Sequence, residues 1–527
     1  MSKRKLELYE GLFKKVGPGA NKITIGDIAS AFNCSDRHAR TLLKQMSENN
    51  WLTWHPIKGR GQKGELNCHI EPIQACYQAV DIAIKQEKYE LAHQLIGFNG
   101  RDVAFGLKHY LGQASSHSEK TIYAPFHRKL GWLHPHHSME RTERHLIHEV
   151  FQTLVTYHGS ELKGELAHHW ESDKDHMRWT FHLRSGATFH DQSPVTAADV
   201  VESLKALTLS SYWQRLYDHI NVIETASLHC VVITLKDADP CLPYLLSRAE
   251  TSIIPHRNIY QPEGTYIPIG SGPFIVDINS NKVLRLKRNN FYNGQNALIE
   301  QIEIWIHQEW ALDKKCAENF FFLDGDEKNY KVSTTNIGYF FILLNHRDLQ
   351  TRATKKALLR LLENNNVASF HLPFPISFSY ENNNDNRSFA NKLMNISSPT
   401  SAKPSGSQVV YGHSLSNQDL AIGGIRLEGD RATSLFAFFK LYPYWDKNLT
   451  WKQHENLLLV LQSVRSCVSL VQREALLDSL LETLYDSNVL AIIKSEDLML
   501  TVPSRVRNVE INSIGWCDFT KLWIDQN

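Results

Sequence analysis

The chain has 527 residues, of which 42% are hydrophobic and 21% charged, a composition that indicates a folded protein of several domains and excludes a disordered or fibrous one. No run is long and apolar enough to predict a membrane-spanning helix, so we expect no membrane partner. The formal net charge of +1 hides an asymmetry, because residues 1–70 hold 12 basic and 6 acidic side chains, and the rest holds 45 and 50. Positive charge at one end favours a nucleic-acid partner for that end.

Two features of the sequence predict a cytoplasmic protein. The eight cysteines are scattered and form no C-x-x-C pair, as expected of reduced thiols rather than of a disulfide framework. The amino terminus has a basic start, but charged residues then interrupt the apolar core that a secretory signal requires. We therefore expect no secretion.

Two short helices joined by a tight turn are predicted after a first helix from Lys3 to Val16. Thr24 can cap the earlier one, which ends at Phe32, and Ser35 the later one, which ends at Met46. Ala39, Leu42, Leu43 and Met46 share one face of the later helix, so that face should be buried. The opposite face is polar and cationic, which predicts the recognition helix of a helix-turn-helix. Its predicted DNA-binding residues are Ser35, Arg37, His38, Arg40, Thr41 and Lys44.

A basic hairpin follows these helices. Trp51–Trp54 and Glu65–Cys68 are predicted strands, and the glycine-rich segment between them carries Lys58, Arg60 and Lys63. This pattern is typical of a wing whose cations bind DNA phosphates. Residues 1–70 are thus predicted to form a winged helix-turn-helix that binds double-stranded DNA, the alternative being a helical domain with a merely solvated charged face.

Residues 71–117 are predicted to be a helical connector. Apolar residues keep helical spacing from Pro72 to Gly97, and a second helix is expected from Asp102 to Leu111. The sequence leaves open whether these helices connect, dimerise or do both. A polar joint at 115–120 ends this region, and short strands then alternate with helices, which predicts a mixed α/β fold from residue 118 onward.

The most specific sequence motifs lie in the middle of the chain, at Leu166–Trp170, Trp179–Asp191 and Pro194–Leu204. Trp179, Phe181 and Leu183 alternate as in a half-buried strand, and Thr196 with Asp199 predicts a capping box. This run resembles the signature of the family 5 solute-binding proteins, which deliver peptides, nickel complexes or oligosaccharides to ABC importers. One departure is Gln192, which stands where those proteins usually have glycine.

Other segments extend that resemblance in the same order along the chain. They are Pro268–Phe274, Leu286–Tyr292, Ile302–Ile306, Ile342–Asn345 and Gly515–Phe519 with Trp523. The resemblance implies a two-lobed, class II periplasmic-binding-protein-like domain, with lobe one at about 118–345 plus 502–527 and lobe two at about 346–501. The match is faint between Arg347 and Thr501, where two loop-like interruptions indicate a shortened second lobe.

A winged helix, a helical connector and a solute-binding domain together resemble the SgrR family of bacterial transcription regulators. The resemblance includes Cys34–Leu43, Asn50–Trp54 and Gly59–Gly61. It implies a DNA-binding regulator that senses a small solute, with a sugar phosphate or an oligosaccharide as the ligand class and RNA polymerase as a further partner. The competing hypothesis is a solute-binding component of an ABC importer with an atypical amino-terminal extension.

The resemblance implies a ligand cleft between the lobes. Because such pockets combine aromatic walls with a few polar groups, its candidate residues are Tyr123, Ser271, Asn345, Arg347, Tyr444, Trp445 and Asp446. No catalytic motif is present, so we expect no enzyme, no catalytic residue and no cofactor. His134, His136, His137, His145 and His148 are dense enough to suggest a metal site, but the absence of a nearby cysteine favours a structural or solvated role.

Overall fold

The computed structural model describes residues 2–525 apart from 58, 60, 159–160, 264–265, 313–321, 324–327, 347–361, 363–375, 382, 396–403, 410–417 and 513. Within these residues, no helix combines the length and apolar character needed to cross a membrane. The described residues form three regions. The head is formed by residues 2–117, and a first and a second lobe follow it, with the carboxyl end of the chain returning to the first lobe. The predicted multi-domain arrangement of a winged helix-turn-helix and a two-lobed α/β domain is confirmed.

The winged helix of the head contains the three predicted helices and two predicted strands, together with one further strand. They are α1 Lys3–Val16, β1 Gly19–Thr24, α2 Ile25–Ala31, α3 Asp36–Glu48, β2 Leu52–His55 and β3 Lys63–Cys68. Thr24 and Asp27 form a capping box at α2, and the Ser35 side chain caps α3. Ala39, Leu42, Leu43 and Met46 are all buried, which confirms the predicted inner face of α3.

β1 was not expected from the sequence. It pairs antiparallel with β3 along its whole length, from Gly19 opposite Cys68 to Thr24 opposite Lys63, and makes the wing sheet three-stranded in the order β1-β3-β2. β1 buries only Ile23, so it lacks the alternation of a half-buried strand. Its strand conformation depends on the hydrogen bonds to β3.

The connector region contains α4 Pro72–Lys85, α5 Tyr89–Ile96 and α6 Val103–His117. The single helical pattern from Pro72 to Gly97 is therefore divided in two, and the sequence prediction of one continuous helix was wrong. The break occurs at Glu87, whose φ of 56° is incompatible with a right-handed helix. α6 begins after the predicted residue Asp102, whose side chain accepts a hydrogen bond from the Phe105 N–H, and runs one and a half turns past Leu111.

Two four-stranded sheets form what we call lobe one. The first has the order β11-β12-β13-β4 and the second β7-β8-β10-β9. Their strands are β4 Thr121–Phe126, β7 Ala167–Ser172, β8 Arg178–Leu183, β9 Ile220–Ser227, β10 Cys230–Leu235, β11 Phe274–Asn279, β12 Val283–Arg288 and β13 Gln301–Ile306. The helices are α7 Arg141–Val150, α8 Ala197–Leu209, α9 Gln214–Tyr217 and α10 Leu242–Leu245. β5 Val155–His158 and β6 Glu161–Gly164 make a separate hairpin, as do β19 Val506–Arg507 and β20 Trp523–Ile524 at the carboxyl end.

The signature region of lobe one has the predicted local structure. Thr196 and Asp199 form a capping box at α8, with the Thr196 hydroxyl 2.7 Å from the Asp199 carboxylate. Gln192, the residue that replaces glycine, adopts a φ of 67°, which explains why glycine suits this turn. Gly270 lies so close to the backbone of Val150 that a Cβ atom would lie 2.0 Å from its carbonyl oxygen.

A five-stranded sheet in the order β16-β15-β17-β14-β18 and its helices form what we call lobe two. The strands are β14 Asn329–Leu344, β15 Ser377–Glu381, β16 Ser405–Val409, β17 Leu420–Arg426 and β18 Leu490–Pro503. The helices are α11 Asn384–Met394, α12 Arg431–Leu441, α13 Tyr444–Asn448, α14 Trp451–Ser466 and α15 Leu470–Asp486. β14 and β18 are long enough to belong to both lobes: Leu500 and Val502 pack in the lobe one core, whereas Phe341 and Leu343 pack with lobe two.

The head and lobe one share a single apolar core. Trp305 of β13 is fully buried among residues of α5, with the ring of His93 stacked 5.9 Å from it and the ring of Tyr89 at 5.8 Å. Trp310 donates a hydrogen bond from its indole nitrogen to the Ala104 carbonyl of α6. The connector helices therefore pack both on lobe one and on the winged helix.

His93 makes this contact sensitive to acid. Burial, and then the nearby Lys282 and His307, lower the pKa of His93 to about 3, so the folded protein holds this ring neutral while the unfolded chain protonates it near pH 6.5. The contribution of His93 to stability is complete above pH 6.5 and is lost as the pH falls from there towards 3, by up to about 1.4 kcal/mol per pH unit. We expect His93→Phe to reduce the pH dependence of the free energy of unfolding, measured by urea denaturation between pH 7 and 5. His182→Phe on the exposed face of β8 is the control, and an unchanged slope in His93→Phe would contradict the assignment.

Candidate nucleic-acid interface and lobe seam

The outer face of α3 is exposed to solvent. Ser35, Arg37, His38, Arg40, Thr41 and Lys44 are all exposed on this face, as the sequence predicted. In the part of the chain that the structure describes, Arg37, Arg40 and Lys44 form no ion pair. The Ser35 hydroxyl accepts a hydrogen bond from the His38 N–H at 3.4 Å, which fixes the start of the helix. Three cations thus project from a rigid helix that buries its other face.

The wing contributes one more exposed cation to the head. Lys63 is exposed at the start of β3, opposite Thr24 of β1. Trp54 of β2 lies against Gly64, where a Cβ atom would come within 2.6 Å of the indole ring. This glycine therefore lets the two wing strands pack closely. Lys58 and Arg60, the other predicted wing cations, lie outside the described residues.

The structure adds basic residues that the sequence analysis did not select. A groove of about 620 Å³ runs between the start of α1 and the turn of the helix-turn-helix. Arg4 and Lys5 line it together with Asn33, Cys34 and His38. The basic run Lys3-Arg-Lys5 was predicted to begin the first helix of the winged-helix module, but its cations were not predicted to bind DNA.

Buried charges cross the seam between the lobes. Arg144 of α7 donates hydrogen bonds to Glu250 at 2.6 Å and to Glu428, which precedes α12 in lobe two, at 2.8 Å. Arg248 holds the other oxygen of Glu250 at 2.7 Å. Burial alone would lower the pKa of Arg144, but Glu428 and Glu250 raise it above its ordinary value. Arg144, in turn, holds the pKa of Glu428 well below its usual range against the opposing effect of burial. The lobes are thus joined by a compensated ionic network.

A second buried network joins the lobes farther along the seam. Arg473 of α15 donates to Asp239 of lobe one at 2.6 Å, and both side chains are almost fully buried. His219 and Arg473 lower the pKa of Asp239 to about 2 although burial opposes this shift. The apolar core also crosses the seam, from Leu204 and Ile233 of lobe one to Leu435 and Leu477 of lobe two.

A pocket of about 650 Å³ remains open on this seam. α9 and the start of β9 form its lobe one wall, and α12, α13 and α14 form its lobe two wall. Trp445 and Asp446, two of the candidate ligand residues, line it. The Asp446 carboxylate is half-exposed and pairs with Arg215 at 2.7 Å across the pocket.

The other ligand candidates have different positions. Tyr123 was wrongly assigned to the cleft, because its side chain on β4 packs against the apolar core of the head. Burial there raises the pKa of Tyr123, and the nearby carboxylates of Glu303 and Asp81 raise it further. Tyr444 was also wrongly assigned: it is fully buried, and its hydroxyl donates to the Leu344 carbonyl. Ser271 and Asn345 are buried too, and Asn345 donates to the Gln418 carbonyl at 3.0 Å. Arg347 lies outside the described residues.

The histidine-rich segment packs inside lobe one. His134 and His136 are buried, and burial lowers the pKa of His134 to about 3 and that of His136 to about 4. The His137 ring stacks on Trp132 at 4.3 Å, and His145 lies against Trp516. Among the described residues, no three His, Cys, Asp or Glu side chains are grouped as metal ligands would be.

Two protein families match successive parts of this chain. Residues 4–118 match the family described as "Sugar transport-related sRNA regulator N-term", and residues 161–315 match "Bacterial extracellular solute-binding proteins, family 5 Middle". The chain carries the amino-terminal domain of the SgrR family followed by a family 5 solute-binding domain. The resemblance inferred from the sequence is thereby confirmed.

Curated relatives that match this chain are named as transcription regulators. The chain is 28% identical to the HTH-type transcriptional regulator SgrR of Yersinia enterocolitica over 62% of its residues and 59% of the relative's. It is 27% identical to the protein of that name from Pectobacterium atrosepticum over 65% of this chain and 61% of that one. The SgrR-like chain therefore matches about three fifths of the length of these relatives.

Solved structures show the fold of the two lobes. NikA from Brucella suis, in complex with Fe(III)-EDTA, has 15% sequence identity and a TM-score of 0.61, covering 77% of this chain and 100% of NikA. A dipeptide-binding protein from Pseudoalteromonas sp. SM9913, in complex with Met-Leu, has 14% identity and a TM-score of 0.61 over the same shares. The solute-binding domain of this SgrR-like chain thus has the fold of periplasmic binding proteins.

The buried network gives a test of how the lobes are joined. Arg144→Met would leave Glu250 and Glu428 buried without their shared cation, and we expect it to lower the free energy of unfolding by about 3–5 kcal/mol. Arg178→Met, which removes an exposed arginine 4.0 Å from Glu224, is the control and should cost less than about 1 kcal/mol. Urea denaturation of the two variants compares these costs. Equal stability of both variants would show that the network does not hold the seam.

Proposed function

We propose that this protein is a cytoplasmic transcription regulator that binds double-stranded DNA through its winged helix and senses a small solute through its two-lobed domain. The observation that carries the proposal is the exposed face of α3, whose three cations form no ion pair with any residue that the structure describes, on a head that is joined to a solute-binding fold. The family matches support the same combination. The names of the curated relatives favour a role in regulating transcription, and the family description favours a link to sugar transport.

The head has the geometry that major-groove recognition requires. α3 has a fixed start, a buried inner face and an outer face of Arg37, Arg40 and Lys44, whose side chains suit phosphates and the acceptor edges of guanine. The basic groove formed by α1 lies next to the start of this helix, and Lys63 is exposed on the wing. An importer component would have no use for this surface, so the DNA-binding proposal explains a feature that the alternative leaves unexplained.

The seam has the features that a solute sensor requires. The lobes meet through charged contacts and through the two strands β14 and β18, and a pocket lies between them. A solute can shift the arrangement of the lobes only if it binds one arrangement more tightly than another. Because the connector shares a core with lobe one, such a shift would move lobe two relative to the head and lobe one together.

The proposed recognition helix can be tested directly. We expect the double variant Arg40→Ala/Lys44→Ala to bind DNA about 100-fold more weakly, because each lost base or phosphate contact costs about 1–3 kcal/mol. The probe is a duplex that the wild-type protein selects from a random pool, and the readout is fluorescence anisotropy. The double variant Arg178→Ala/Lys205→Ala removes the same charge from lobe one and should bind as the wild type does. Unchanged affinity of the α3 variant would refute the recognition helix.

Lys63 of the wing is expected to affect DNA binding differently from the cations of α3. Lys63→Ala should weaken binding to selected and unrelated duplexes alike, because a wing cation contacts phosphates and carries no sequence information. The slope of log affinity against log salt concentration should fall by about 0.9, the value for one lost phosphate contact. Titrations at several salt concentrations measure this slope, with Lys205→Ala as the control. A loss confined to the selected duplex would instead assign Lys63 to base recognition.

A further inference from the structure

A groove on the head runs along one side of the recognition helix. We call it the α1–α3 groove, because the start of α1 forms one side and His38, Leu42 and Gln45 of α3 form the other. Leu42 and Gln45 directly follow Thr41 and Lys44 of the exposed outer face, and His38 belongs to both surfaces. With 3.6 residues per turn, the α1–α3 groove therefore lies about 100° around the helix axis from that face. It borders the surface that is proposed to enter the DNA major groove.

Two cations of α1 line this groove. Lys5 is half-exposed and forms no ion pair with any residue that the structure describes. Arg4 is exposed and pairs with Glu7 of the same helix at 3.4 Å, a contact at the surface that contributes little free energy. The positive charge of both side chains is therefore available to an anion.

The rest of the lining is neutral. Among the residues that the structure describes, no aspartate or glutamate lines the α1–α3 groove, and Asp36 in the first turn of α3 is exposed outside it. Asn33 and Gln45 add amide groups that can donate hydrogen bonds, and Leu8 and Phe32 add apolar surface. The groove thus combines cations, hydrogen-bond donors and apolar side chains.

The packing of α1 fixes the position of these cations relative to α3. Leu6 and Leu12 of α1 are fully buried in the core that also contains the inner face of α3. The Tyr9 hydroxyl lies 3.0 Å from the carbonyl oxygen of Trp51 and 2.5 Å from that of Ile70, residues that precede and follow the wing hairpin. The first turn of α1 therefore belongs to the same rigid unit as the recognition helix.

We propose that Arg4 and Lys5 bind phosphates of the DNA backbone that borders the major groove in which α3 lies. The major groove is about 12 Å wide and an α-helix with its side chains about 10–12 Å across, so a helix inside it has a sugar-phosphate backbone along each flank. The α1–α3 groove lies on one flank of α3. Backbone phosphates are anionic and the sugars between them have apolar faces, which matches cations next to Leu8 and Phe32. This inference rests on the proposed DNA-binding function and adds a contact to it.

Such a contact positions α3 and does not read the sequence. Phosphate contacts fix the register and orientation of a protein on the duplex but carry no sequence information. Arg4 suits this role because a guanidinium can form two parallel hydrogen bonds to one phosphate. α3 and α1 then hold the DNA at two points of one rigid unit, with base recognition assigned to α3 and orientation to α1.

The test is a double-mutant cycle between the full chain and the phosphates of a duplex that the wild type selects from a random pool. In this duplex, single phosphates are replaced in turn by neutral methylphosphonates, and fluorescence anisotropy measures each affinity. We expect Arg4→Gln/Lys5→Gln to weaken binding of the unmodified duplex about tenfold or more and to lower the salt slope by about 1.8, the value for two phosphates. At one or two adjacent phosphates, the methylphosphonate should weaken binding of the wild type but not of this variant.

Two further variants control for charge and for position. Arg4→Lys/Lys5→Arg retains both cations and should bind nearly as the wild type does. Lys85→Gln/Lys88→Gln removes two exposed cations at and just after the end of α4, and should leave both the affinity and the salt slope unchanged.

The outcomes separate this inference from the function on which it rests. If Arg4→Gln/Lys5→Gln binds the selected duplex as the wild type does, or weakens binding without coupling to any phosphate, α1 makes no backbone contact and only this inference fails. A loss that spares unrelated duplexes would assign the two cations to base recognition and also overturn it. If the wild type binds no duplex at all, the proposed DNA-binding function fails as well.

Discussion

The packing of the connector helices on the lobe one sheet determines how a movement of the lobes can reach the winged helix. Trp305 of β13 is buried against α5, and its indole nitrogen donates a hydrogen bond to Glu303 at 2.8 Å. The ring is therefore fixed by both apolar contact and a hydrogen bond. Separating the head from lobe one would expose this ring together with His93, Tyr89 and Trp310. The head is thus not a tethered module, and the DNA-facing surface of α3 has a fixed orientation relative to lobe one.

The seam between the lobes is built on a different physical principle. Its apolar core is continuous, but the residues that fix the arrangement are charged pairs such as Arg144 with Glu428 and Arg473 with Asp239. Buried pairs of this kind add little net stability, because desolvation offsets most of the attraction, yet they strongly penalise any arrangement that separates the partners. A seam of this type therefore favours one arrangement of the lobes over those that separate the charged partners. A bound solute changes that preference only if it binds one arrangement more tightly than another.

The sequence predicted the features that depend on local pattern. The bounds of α1, the buried face of α3 and the capping box at Thr196 follow from periodicity and capping chemistry, and all three are confirmed. β1 was missed because its strand structure comes from pairing with β3, more than forty residues later in the chain. The break at Glu87 was missed because no glycine or proline marks it. In both places, tertiary contacts outweigh the local signal.

The candidate site was harder to predict, for a related reason. The residues that meet at the seam are distant in sequence, such as Arg215 and Asp446, which are separated by 231 positions. Composition and spacing could suggest Trp445 and Asp446 as pocket residues but could not supply their partners. Tyr123 shows the converse: a polar aromatic residue in a strand was correctly noticed, but the face of the sheet that it occupies depends on where the connector packs.

One connection leads from lobe two back to the head. β18 runs out of the lobe two sheet into the lobe one core, and two residues after its end Arg505 donates to the Ser118 carbonyl at 2.7 Å and to the Ser115 hydroxyl at 2.9 Å. These two serines close α6, the last connector helix, which packs on α5 and through it on the winged helix. A displacement of lobe two that shifts β18 along its axis would therefore pull on the end of α6. Because α6 and α3 belong to one continuous core, a strain at the end of α6 is transmitted through packed side chains towards the winged helix.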